Sequence, residues 1–231
     1  MIESVAAEAH AGYEARVTTL GLRGDVLRQA LGASNTERGL CSKDHAAKIA
    51  PGIYAYNGLV TSLSRQLDGE DDWRRVNLAG VLPVMLNSRT RVALGVASGS
   101  PLTGQRSGRL QPSSRYPKGE LTKKLVERNV PLGQIALLGR SAFQAEEETD
   151  ELTGYNLWLM LVYFDQKKKE IRHEVSLPER LNAKGYVKDW YDRILPPTPY
   201  SVDGDEFDSI DNDPNDGFGP PTEVPVERRK P

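Results

Sequence analysis

The stretch Leu157-Trp-Leu-Met-Leu-Val-Tyr-Phe164, followed by Asp165-Gln-Lys-Lys-Lys169 and Glu170-Ile-Arg-His-Glu-Val-Ser-Leu177, decides the fold. Its first part is an apolar run of eight residues holding a valine and three aromatics, the length and composition of a strand buried on both faces. Its last part alternates, with Ile171, His173, Val175 and Leu177 on one face and Glu170, Arg172, Glu174 and Ser176 on the other. Such alternation predicts a strand with one face in solvent. The charged connector reads as a turn. The segment is therefore a central strand hairpinned to an outer one.

Working outward, residues 2–20 set Ile2, Val5, Ala6, Ala9, Tyr13, Val17 and Leu20 three or four apart, which is one face of a helix. Gly21 and Gly24 interrupt it. Asp25 then caps a short helix from Val26 to Leu31 that Gly32 ends, and residues 32–36 form a loop. Ser42 to Ala50 reads as another short helix. Pro51 opens a longer one, with a core stripe of Ile53, Tyr56, Val60, Leu63 and Leu67, broken by Asp68-Gly-Glu-Asp-Asp72. The period then changes. Leu82 to Leu86 and Arg91 to Ala97 form a hairpin around Asn87-Ser-Arg-Thr90.

Ser98 to Lys118 is rich in Gly, Ser and Pro and exceeds the usual loop length, so it is either functional or disordered. Glu120 to Asn129 is a helix with Leu121, Leu125 and Val126 inward and Lys123, Lys124 and Arg128 outward. A strand at Gln134 to Leu138 and an acidic loop at Ala145 to Glu151 lead into the central hairpin. Past it, Tyr186, Val187, Trp190 and Tyr191 suggest a helix turn or loop, and Arg193 to Leu195 an edge strand ended by Pro196 and Pro197. The fold class is α+β, N-terminal helices on a mainly antiparallel sheet. One domain covers 1–197 (helical over 1–70, sheet and helix mixed over 80–197), and an acidic tail over 198–231 is too poor in apolar residues to order itself.

The chain has 231 residues, one cysteine and no apolar run near the roughly 20 residues that span a bilayer. Cys41 alone permits no internal disulfide, and the N-terminus has no secretory pattern. The expectation is a soluble cytoplasmic protein that needs no cofactor and no membrane. Net charge is −2, unevenly spread. Nine acids against Arg228, Arg229 and Lys230 give the tail −6, which leaves +4 on residues 1–197.

The strongest functional signal is cationic. Arg106, Arg109, Arg115, Lys118, Lys123, Lys124 and Arg128 lie in the long loop and the helix after it, with Tyr116 among them able to stack on a base. These residue types on a mobile backbone predict contacts to nucleic acid. In the acidic tail, Phe207, Ile210 and Phe218 are spaced as anchors for a protein partner. The leading expectation is a non-enzymatic accessory protein that contacts nucleic acid. The alternatives are a component of a larger assembly and a divergent metal-dependent nuclease using Asp165, Glu170 and Glu174.

One motif reading fails on its own residues, and two others are weakened by theirs. Gly99 to Arg106 has the glycine spacing of a phosphate-binding loop, but Gln105 stands where a lysine must reach the phosphates, and Gly108 and Pro112 forbid the following helix. A nuclease would want a lysine where Arg172 follows Glu170 and Ile171. Cys41 and His45 share a face only on a helix, and one helix rarely holds a nucleophile and its base in working geometry.

Overall fold

In a computed structural model of the chain, residues 2–42, 44–70, 72–78, 82–106, 110–130 and 152–202 are described. Three helices open the chain: α1 (Ile2–Thr19), α2 (Gly24–Gly39) and α3 (Ala50–Leu67). The strands follow as β1 (Trp73–Leu78), β2 (Leu82–Asn87), β3 (Val92–Ser98), β4 (Asn156–Asp165), β5 (Glu170–Leu181), β6 (Val187–Ile194) and β7 (Tyr200–Ser201), with α4 (Glu120–Glu127) between β3 and β4. The sheet order is β1-β2-β3-β4-β5-β6, and β7 pairs with β5. Among the described strands every pairing is antiparallel except β3 with β4, which runs Val92 opposite Asn156 through Ser98 opposite Val162. This is the α+β class expected, with helices on a mostly antiparallel sheet.

Alternation along β4 builds two cores. Trp158, Met160, Val162 and Phe164 face α1, α2 and α3, while Leu157, Leu159 and Leu161 face α4 with Leu125, Val126 and Trp190. The eight-residue apolar run is therefore central and buried on both sides, as its composition demands.

Several local expectations need correcting. β5 is not an outer strand with a wet face: from Ile171 to Pro178 it is buried throughout, because β6 and β7 cover its far edge and the 99–106 segment lies over its charged face. The charges are neutralised inside the fold rather than hydrated. Gly32 does not end α2, and residues 32–36 are helical. Gly32 lies against Tyr200, where a Cβ would stand 3.1 Å from the hydroxyl, and Ser34 Oγ donates to the Ala55 carbonyl of α3 at 2.8 Å, so tertiary packing overrides low helix propensity. Asp25 is not its cap; Glu14 of α1 accepts the Gly24 N–H instead.

Residues 44–49 make turns and bends rather than a helix, with the Ser42 hydroxyl accepting the His45 N–H. The buried face of α3 is Ala55, Gly58, Leu59, Leu63 and Leu67, so Ile53 turns outward and Tyr56 and Val60 are only partly covered. On α4 Leu121 is exposed and Thr122 takes its place inside. β1 is a strand that the sequence pattern does not signal, and Tyr186 to Tyr191 is mostly strand, since β6 runs from Val187 without interruption. Order also continues past Thr198, where Tyr200 pairs with Ile171 and Val202 is buried. The rest of the tail, the strand at 134–138 and the acidic loop at 145–151 lie outside the described residues.

Candidate functional site: an Ω-loop on the sheet and its cationic flank

The loop after β3 closes on itself. Ser100 N–H donates to the Ser113 carbonyl and Arg115 N–H to the Ser98 carbonyl, both at 2.9 Å, with a bridge between Gly99 and Ser114. A surface loop with joined ends is an Ω-loop, a form often used for binding. Its underside is latched to the sheet. Glu174, fully buried on β5, accepts the Gly104 N–H at 2.8 Å, the Ser176 hydroxyl at 2.7 Å, and both Nε (2.9 Å) and Nη2 (2.6 Å) of Arg193. Arg193 Nη2 also donates to the Gln105 carbonyl, and Trp190 Nε1 to the Pro112 carbonyl. Gly104 has φ +69°, and a Cβ there would stand 3.0 Å from the His173 carbonyl, so only glycine allows the loop this close.

The cations named from sequence fall into three places. Arg106 is exposed just past the latch. At the loop's neck the Arg115 guanidinium lies 5.7 Å from the Tyr116 ring centre, and its Nε donates to the Tyr116 hydroxyl. Lys118 follows, half-buried, its N–H donating to the Gly185 carbonyl at 2.8 Å; burial holds its ammonium down to about 8. On α4, burial of Thr122, Leu125 and Val126 forces Lys123, Lys124 and Arg128 to the exposed side. The structure thus draws Arg115, Tyr116 and Lys118 together at the start of α4, beside the turn that carries exposed Lys184, and leaves Arg106 apart. Arg109 and the tail residues Phe207, Ile210 and Phe218 lie outside the described residues.

The remaining candidates are occupied by structure. Asp165 accepts from Arg172 Nη2 at 2.9 Å, Glu170 stands 3.6 Å from Arg172 Nε, and Glu174 is taken by Arg193. Among the described residues no group of three His, Cys, Asp or Glu side chains stands where it could hold a metal ion. Cys41 is buried, and His45 sits in the turn after it.

Sequence reasoning missed a notch at the sheet edge. β6 ends with Ile194 opposite Val175 and β7 begins with Tyr200 opposite Ile171. Between them Pro196, Pro197 and Pro199 have no N–H to give, so no ladder forms beside residues 172–174. A cavity of about 180 Å³ opens on the helix side against His10, Tyr13, Glu14 and Arg28, and one of about 260 Å³ on the loop side against Gly104, Gln105, Lys168 and Arg172. Both border His173, Pro196 and Pro197. His173 is buried and its Nε2 lies 3.3 Å from the Tyr13 hydroxyl. Desolvation, with Arg28 nearby, pushes its imidazole down to about 4, so it is neutral at pH 7. The triple proline was the one signal in the sequence that could have marked this gap.

No family model, no curated protein and no solved structure matches the chain. Among the described residues no helix is long and apolar enough to cross a membrane.

Proposed function

We propose that the protein is a non-enzymatic accessory protein that binds nucleic acid through the neck of the Ω-loop and the outer face of α4. The observation that supports this reading best is the packing of α4, whose buried residues turn Lys123, Lys124 and Arg128 outward on the helix that Arg115, Tyr116 and Lys118 lead into. Cations on a fixed helix face can neutralise successive phosphates, and a tyrosine ring beside them offers a stacking surface that tolerates any base. Such contacts position a strand without selecting its sequence. Fluorescence anisotropy with a labelled single-stranded oligonucleotide tests the reading. A Lys123→Ala/Lys124→Ala variant should bind more weakly than the parent across unrelated sequences. Equal affinity in the two proteins, or none in either at low salt, overturns it.

A second reading, a component of a larger assembly, rests on a different observation. Leu40 at the end of α2 and Ile49, Ile53 and Tyr54 at the start of α3 are all exposed apolar side chains at one end of the helical layer. Co-purification of a partner that a Leu40→Ser/Ile53→Ser variant loses would support this, and a protein that stays alone and monomeric counts against it.

A further inference from the structure

We propose that the acidic segment after Val202 folds back within the chain onto the apolar end of the helical layer, seating Phe207 and Ile210 against Leu40, Ile49, Ile53 and Tyr54. This occupant covers the patch of the second reading, and a partner there would have to displace it. The nucleic-acid surface is not involved, because none of residues 115–128 takes part.

The patch is apolar and open. Leu40 is 69% exposed, Ile49 51%, Tyr54 44% and Ile53 39%. Single exposed apolar side chains are ordinary, but four gathered where α2 ends and α3 begins mark a contact surface. The helices cannot roll these residues inward. Ser34 Oγ bonds the Ala55 carbonyl, and Gly58 sits so close to Ala33 that a Cβ would fall 2.8 Å from its carbonyl oxygen, which fixes the facing sides of α2 and α3.

The described chain leaves the fold at this same end. Tyr200 pairs with Ile171, Ile171 pairs with Phe164, and the Arg38 guanidinium lies 5.6 Å from the Phe164 ring centre, two residues before Leu40. Val202 is buried in the helix-side core, and its N–H donates to the Lys169 carbonyl at 3.0 Å. Two strand spacings, about 10 Å, separate Phe164 from Tyr200, and Leu40 stands about 3 Å beyond Arg38 along the helix. From Val202 the extended chain spans up to about 17 Å to Phe207 and about 27 Å to Ile210, which covers this separation.

Charge favours the route. Asp203, Asp205 and Glu206 start beside the turn of Lys167, Lys168 and Lys169, all exposed, while the carboxylates flanking that turn, Asp165 and Glu170, are drawn to Arg172. The cations of α4 attract the same acids from further away. Lys118 bonds Gly185, past the far end of β5, and the twelve residues of that strand set the two ends about 36 Å apart. A short tether also holds the segment at an effective concentration of the order of millimolar, so contact too weak to join two separate molecules is populated within one.

A nitroxide spin label on Asp213→Cys, in a full chain carrying Cys41→Ala, tests the docking by amide NMR. Signals of residue 40 and residues 49–54 should be lost with the label oxidised and return when it is reduced. Adding Phe207→Ser/Ile210→Ser in the tail, or Leu40→Ser/Ile53→Ser in the patch, should abolish the loss, and Lys123→Ala/Lys124→Ala should leave it unchanged. Loss centred on α4, loss spread evenly over the surface, or loss that survives both serine pairs overturns the proposal. So does loss seen only between molecules, when labelled protein is mixed with isotopically enriched unlabelled protein, because the occupant is then a second copy. Hydrogen exchange gives a measurement that keeps Cys41: amides 49–54 should exchange faster in Phe207→Ser/Ile210→Ser than in the parent, and equal rates overturn the proposal.

Discussion

Glu174 shows how a residue that reads as solvent-facing can be fully enclosed in the fold. Its two oxygens receive four donors, and the Arg193 guanidinium is held between it and the Gln105 carbonyl. Removing one partner of a buried ion pair leaves the other charge unanswered, so Glu174→Ala should destabilise the protein by about 3–5 kcal/mol in urea denaturation. The sequence could not reveal this pairing. Alternation assigns Glu174 to a face but says nothing about what covers that face, and Arg193 is nineteen residues away.

His173 leads to a pH prediction. Unfolded, its imidazole takes a proton near 6.5; folded, only near 4. Protons therefore favour the unfolded chain across that window, and stability that is complete above pH 6.5 falls as pH drops toward 4. Between pH 6.5 and 5, before most carboxylates titrate, the loss should be about 2 kcal/mol. Denaturation midpoints of His173→Gln should be flatter over that range. A variant that declines as steeply as the parent would contradict the assignment of this loss to His173.

At the scale of elements, apolar runs and turns were legible where local chemistry decides them. β4, the turn after it, the hairpin of β2 and β3, and α3 opening at Pro51 all lie where their residues indicate. Misreadings occur where a distant element decides. α2 runs through Gly32 because α3 packs against it, and the α3 stripe is rotated for the same reason. Gly58 marks the contact: a Cβ there would fall 2.8 Å from the Ala33 carbonyl oxygen and 2.7 Å from the Glu37 side chain. Gly58→Ala must push the two helices apart and should cost about 1–3 kcal/mol despite alanine's better helix propensity, measurable as a lowered Tm. The charged residues of β6 hide a strand whose inward side chains are Val187, Trp190 and Ile194.

For the whole molecule, the sheet separates two different surfaces. Three helices close one face over the larger apolar core, and the other carries α4 and the latched loop. Of the cationic residues named from sequence, the described ones lie on that second side, with Arg115 and Lys118 leading, beside Tyr116, into α4. The residue types of this surface were legible because loop and helix chemistry is local. The notch was not, because it depends on where β6 stops and β7 starts along β5.

Nucleic-acid binding through α4 is tested most directly by the salt dependence of affinity for a labelled single strand, parent against Lys123→Ala/Lys124→Ala. The account predicts a linear fall of log affinity with log salt, and a slope shallower by about 1.4 in the variant, for two lost phosphate contacts. Identical slopes, or affinity indifferent to salt, would contradict it.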